Sequence, residues 1–102
     1  MFKHVVMWKV NENTSSNTIL ETAETVKSSL ERLPSLIPQI KSYEIGLNLQ
    51  DSDRSYDVIL ISEFSDQKDF DIYRSHPEHI KVVETIRELT VKARFVDFIS
   101  DH

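Results

Sequence analysis

The stretch Tyr56-Asp-Val-Ile-Leu-Ile-Ser-Glu-Phe64 decides the fold. Its side chains alternate as a β-strand requires: Val58, Leu60, Ser62 and Phe64 fall on one face, Ile59 and Ile61 on the other. An antiparallel strand with one wet face reads apolar-in, polar-out; this one is apolar on both sides, so it predicts a sheet covered on both faces.

The same two-faced pattern recurs at both ends of the chain. In residues 2–10, Phe2, His4, Val6, Trp8 and Val10 share one face, and Lys3, Val5, Met7 and Lys9 the other. In residues 90–99, Val91, Ala93, Phe95 and Ile99 face one way, Val96 and Phe98 the other. A fourth strand is read over residues 40–49, with Tyr43, Ile45 and Leu47. Gly46, the only glycine of the chain, predicts a bulge or a close backbone approach there. Residues 51–55 form a polar turn.

Between these strands the period changes to that of helices. Thr14 or Ser15 is the expected N-cap of a first helix, on which Ile19, Ala23, Val26, Leu30 and Leu33 recur at steps of three and four. Pro34 ends it, and Leu36 and Ile37 are expected to tuck under the connector that follows. Ser65 or Asp66 caps a second helix carrying Phe70 and Tyr73. It stops at His76-Pro77, because the residue before proline avoids helical angles. Pro77 then suits the first position of a third helix, with Glu78 in its first turn and Ile80, Val83, Ile86 and Leu89 as its buried stripe.

The order is strand, helix, strand, strand, helix pair, strand. That order predicts a single α+β domain over residues 1–102, a ferredoxin-like four-stranded antiparallel sheet with helices on one face. Too few helices exist to cover the other face, where Val5, Met7, Ile59, Ile61, Val96 and Phe98 fall. Each of these left in water forfeits roughly 1.5–3 kcal/mol of burial, and together they exceed the apolar patch of an ordinary monomer. A second copy of the chain, presenting the same face, is the expected cover, giving a homodimer.

Composition narrows the partners. The formal net charge is −5, from 17 acids and 12 bases, and the bases are scattered. This argues against nucleic acid, whose affinity rests on phosphate neutralisation. The absence of cysteine excludes disulfides, thiolate metal sites and a cysteine nucleophile. No stretch reads as a signal peptide or a membrane span, so no membrane partner and a cytoplasmic location are expected. One glycine cannot build a phosphate-cradling loop.

Chemistry concentrates in Asp71-Ile-Tyr73-Arg-Ser-His76-Pro77-Glu78-His79. Three readings apply. In a purely structural one, His76 caps a helix that Pro77 and Glu78 start, and His79 packs on the sheet with one hydrogen bond. In a catalytic one, His79 is a general base and Tyr73 orients a carbonyl or an oxyanion. In a third, His76, Glu78 and His79 hold a divalent ion; the spacing differs from the i, i+4 pair of a helical zinc site, and no metal is expected. His4 shares an apolar face with Val6 and Trp8 and gains interest only if the fold brings it to His79. Trp8 on that face reads as core or as a ligand contact. Ser62 marks a small cavity or is simply small. Glu44, Glu63 and Asp97 are expected to meet solvent, Lys or Arg.

Three features occur together: the opening Phe2-Lys3-His4-Val5-Val6, the junction Leu33-Pro34 with Ile37-Pro38, and Tyr73-x-x-His76-Pro77-Glu78-His79. In order and spacing they resemble the stress-responsive dimeric α/β barrel family, called Dabb, over nearly the whole chain. The resemblance implies a homodimer whose two sheets close into a barrel. It also implies a pocket between sheet and helices. A plant member of the family is a polyketide cyclase that closes a ring by intramolecular aldol condensation without a cofactor. By that likeness His79 matches the base, Tyr73 the assisting donor and His4 the first-strand histidine, which would turn the face of Val6 and Trp8 toward the pocket and Val5 and Met7 toward the dimer. Three functions are carried forward: a cofactor-free protein that binds or converts a small carbonyl or aromatic, polyketide-like molecule; a non-enzymatic stress or assembly protein; and a cofactor-independent monooxygenase.

Overall fold

A computed structural model describes residues 1–12 and 18–101. The elements follow the expected order: β1 (Phe2–Val10), α1 (Ile19–Glu31), β2 (Ser42–Leu47), β3 (Val58–Phe64), α2 (Gln67–Ser75), α3 (Pro77–Leu89) and β4 (Thr90–Ile99). The sheet order is β2-β3-β1-β4, with every neighbouring pair antiparallel. This is the ferredoxin-like α+β arrangement, and the strands of the two ends of the chain lie side by side.

Register sorts the side chains. His4 stands opposite Ser62 on β3 and Asp97 on β4; Val6 stands opposite Leu60 and Phe95; Trp8 opposite Val58 and Ala93. Opposed residues share a face, so these line the side that carries the helices. The apolar core lies between that face and the helices, with Val26, Leu30 and Leu33 from the first helical region, Val58, Leu60 and Phe64 from β3, and Phe70 and Tyr73 from α2 all buried. The core weaves across the sheet: Phe2 stacks on Phe70 at 4.7 Å between ring centroids. Phe64 meets Tyr73 at 4.9 Å.

The helix ends are built by side chains. Thr18 caps α1 in a reciprocal box with Glu21: the Glu21 N–H donates to Thr18 Oγ1 at 3.1 Å, and the Thr18 N–H to Glu21 Oε1 at 3.2 Å. The expected caps Thr14 and Ser15 lie outside the described residues. Asp66, as expected, caps α2 by accepting the Asp69 N–H at 2.9 Å.

Several expectations are corrected. The second strand is shorter than residues 40–49, and the third begins at Val58 rather than Tyr56. Ile37 is buried but Leu36 is 42% exposed; the tight turn after α1 puts one inward and turns its neighbour out. On α3, Ile80 is 46% exposed and Val82 is buried with Ile86. The inward stripe runs through His79, held by the Arg74 carbonyl and the Tyr73 ring, with Val82, Val83 and Ile86; Ile80, about 100° round the helix from His79, falls outside it. Gly46 marks no bulge, since β2 and β3 pair without interruption. A Cβ there would instead come within 3.1 Å of the Ile59 side chain. The irregularity lies between Lys9 and Val10 on β1. Pairing with β3 ends at Trp8 and Val58, and one step on the buried Asp57 carboxylate accepts the Val10 N–H at 2.8 Å. Ser62 is buried because its Oγ donates to the His4 carbonyl at 2.8 Å.

The helices do not reach across β4. Phe95 and Ile99, on the helix-bearing side, stay 66% and 68% exposed. Among the described residues no helix lies on the opposite face, where Met7, Val96 and Phe98 are exposed.

Candidate functional site

The corner between α2 and α3 is where the site begins. Pro77 forces His76 into extended backbone, with φ −66° and ψ 135°, so one residue ends α2 and caps α3. Its Nδ1 accepts the Glu78 N–H at 3.1 Å. The last turn of any helix leaves carbonyls without intrahelical partners. Here the Arg74 carbonyl is met by His79 Nδ1 at 3.0 Å. A carbonyl can only accept, so His79 Nδ1 carries the hydrogen and Nε2 is left with its lone pair. Burial pushes the His79 imidazole below the ordinary histidine value; the Arg74 carbonyl opposes the shift, and the nearby His4 and His76 add to it.

His79 packs against Tyr73, with 4.3 Å between ring centroids. The Tyr73 hydroxyl lies 2.8 Å from that of Tyr43 on β2. Burial raises both phenols, Tyr73 to about 12 with the Tyr43 hydrogen bond pulling the other way, and Tyr43 further. Both therefore stay protonated at neutral pH and serve as hydrogen-bond groups rather than bases.

His4 sits between the rings of Phe70, at 4.8 Å, and Phe95, at 6.0 Å. Its Nδ1 is hydrogen-bonded to the Asp97 carboxylate. The expectation that Asp97 meets solvent, Lys or Arg is corrected: antiparallel pairing sets it directly opposite His4 on the helix-bearing side. Glu63 does pair with Lys3, at 3.4 Å.

A cleft of about 360 Å³ opens between α2–α3 and strands β1 and β4. His4, Trp8, Tyr73 and His79 all border it. Phe64 does not; it is buried beneath, against Phe70 and Tyr73. Tyr73 presents its ring to this space, while its hydroxyl reaches toward Tyr43 on β2, at the far edge of the sheet from β4. The three donors weighed for a metal ion each hold another partner: His76 caps α3, His79 bonds Arg74, and Glu78 lies 3.4 Å from Lys81.

Asp97, Phe95, Arg74 and Arg87 also border the cleft and were not singled out from the sequence as site residues. The signal for Asp97 was present: a carboxylate in step with Phe95 and Ile99 on an apolar face. Among the described residues no helix is long and apolar enough to cross a membrane.

The fold and cleft define a ferredoxin-like α+β protein with a half-open, largely apolar chamber edged by histidines. The profile of the Stress responsive A/B Barrel Domain family, Dabb, matches residues 2–100, and the chain belongs to that family. Among solved structures it is similar to a dimeric protein of unknown function with a ferredoxin-like fold from Bacteroides fragilis. That likeness has 29% identity, covers 95% of this chain and 93% of that one, and has a TM-score of 0.81. A dimeric ferredoxin-like protein of unknown function from Thermobifida fusca is 24% identical, over 95% of this chain and 88% of that one, with a TM-score of 0.79. The hydroxynitrile lyase of Passiflora edulis is 15% identical, over 99% and 94%, with a TM-score of 0.81, a likeness of fold alone. No curated protein sequence matches the chain.

Proposed function

We propose that the cleft binds a small carbonyl or aromatic molecule, polyketide-like in chemistry, and moves a proton on it with His79 as base. The observation that carries this reading is the bond from His79 Nδ1 to the Arg74 carbonyl, which leaves Nε2 unprotonated beside an apolar chamber. Lowering of the imidazole by burial keeps that nitrogen neutral at physiological pH, as a base must be. In the proposed step Nε2 removes a proton from a carbon next to a carbonyl. The electron pair left behind, held as an enolate, attacks a second carbonyl carbon of the same molecule. The imidazolium then returns the proton to the new alkoxide. Base, acid and electrophile are thus supplied by the protein and substrate, without a cofactor.

His4, fixed by Asp97, is assigned to anchor a polar group, and Trp8 to contact the body of the ligand. Tyr73, whose hydroxyl is turned to Tyr43, is assigned the positioning of the His79 ring by packing against it rather than donation to the enolate. The test follows carbon–hydrogen exchange in heavy water, by NMR, with linear polyketo acids and aryl ketones. His79→Ala should slow exchange by roughly 10²–10⁴-fold at unchanged fold; undiminished exchange in that variant removes His79 from the role.

The same chain is proposed to act as a homodimer through Val5, Met7, Ile59, Ile61, Val96 and Phe98. Val96 at 63% and Phe98 at 44% exposure support this, since nothing among the described residues of one chain covers them. That exposure also favours a second reading, in which the dimer surface itself is the function. Under it, His79→Ala changes stability alone, and no carbonyl compound shows enzyme-dependent exchange.

A further inference from the structure

The cleft has two chemically different ends. Along β1, His4 to Trp8 is four residues, roughly 13 Å. Along α3, His79 to Arg87 is eight residues, about 12 Å of helix. The two runs border the same chamber, so His4, Asp97 and His79 mark one end, and Trp8, Ala93 and Arg87 the other. Between them lie Val6, Val83 and Ile86.

The charges at the two ends are not equivalent. Asp97 is engaged by His4. Arg74, at the histidine end, lies 3.3 Å from Asp71, and its guanidinium sits over the Phe70 ring at 5.7 Å. Arg87 borders the cleft, and among the described residues no carboxylate stands within ion-pair distance of it, not even Glu84 one turn back or Glu88 beside it. In a chain of net charge −5, the cleft thus ends at an unengaged cation. A guanidinium matches the planar fork of a carboxylate with two parallel hydrogen bonds.

We propose that the ligand is an amphipathic carboxylic acid, lying along α3 with its carboxylate on Arg87 and its reactive carbonyl at His79. This rests on the reading of the cleft as a ligand site. The apolar body spans about 12 Å between the two groups.

Trp8 is the only tryptophan and borders the Arg87 end, so its fluorescence reports occupancy. Octanoate and octanol, titrated into the intact protein at low salt, share a body and differ in the charge. Octanoate should bind roughly fivefold or more tightly. Arg87→Gln should abolish the preference while still binding octanol, Arg87→Lys should keep only part of it because an ammonium supplies charge without the fork, and Arg74→Gln should keep it. Equal binding of the two by the unaltered protein overturns the carboxylate assignment and leaves the cleft a ligand site. A preference that survives Arg87→Gln, or disappears in Arg74→Gln, overturns the orientation along α3. Trp8 fluorescence that responds to neither compound overturns the ligand cleft itself, and this inference with it.

Discussion

His4 and Asp97 stand directly opposite each other on β1 and β4, and the Asp97 carboxylate accepts the Nδ1–H of His4. The contact joins residues near the two ends of the sequence and fixes which ring nitrogen of His4 faces the cleft. Asp97→Asn should cost about 1 kcal/mol by urea unfolding, and His4→Asn a similar amount. The double variant should lose less than the sum, because either substitution already breaks the bond. Strictly additive losses would mean that the pair contributes nothing beyond its separate contacts.

Acid should weaken the fold through His79. Its folded-state value is lowered from 6.5, chiefly by burial. Below that pH the unfolded chain takes up the proton before the folded one does, so stability present above about 6.5 is lost as pH falls toward the folded value. The melting-temperature advantage of the unaltered protein over His79→Gln should therefore shrink between about pH 7.5 and pH 5. A gap that widens on acidification contradicts the lowered value. In an exchange assay, the acid limb should lie below the ordinary imidazole range.

The Tyr43–Tyr73 pair supplies a cleaner thermodynamic test. Tyr43→Phe leaves the buried Tyr73 hydroxyl without its 2.8 Å partner, at a cost of roughly 1–3 kcal/mol. Removing both hydroxyls should recover part of that loss, since no orphaned polar group then remains. Denaturant unfolding of the two single variants and the double variant decides it.

Exposure alone does not distinguish Val96, at 63%, from Leu20 on α1, at 57%. The proposed dimer does. Val96→Glu should convert the protein to monomer in sedimentation experiments, whereas Leu20→Glu should leave the oligomeric state unchanged. Equal behaviour of the two would remove the sheet face as the contact.

The strands were legible because alternation in β1, β3 and β4 needs only neighbouring residues, and so were the Asp66 cap and the Pro77 start. What escaped depends on register. Nothing local in Tyr43 announces Tyr73, and nothing near Asp97 announces His4, because both contacts join segments that only the β2-β3-β1-β4 order brings together. Ile80 misled because steps of three continue it through Val83 and Ile86; the inward face instead follows His79, held by the Arg74 carbonyl across the helix corner, and runs through Val82. Likewise, the open flank of the cleft at Phe95 followed from how far the helix layer extends, which periodicity does not encode.

β1 is a partition one backbone thick. His4, Val6 and Trp8 line the chamber while Val5 and Met7, each a single peptide away, belong to the bare side of the sheet. Redesign cannot treat the two as separate compartments. Any substitution at Val6 or Trp8 that widens the chamber by shifting the strand displaces Val5 and Met7 by the same movement, so under the proposed ligand site and dimer a search for variants with altered ligands is also a search through variants with altered self-association.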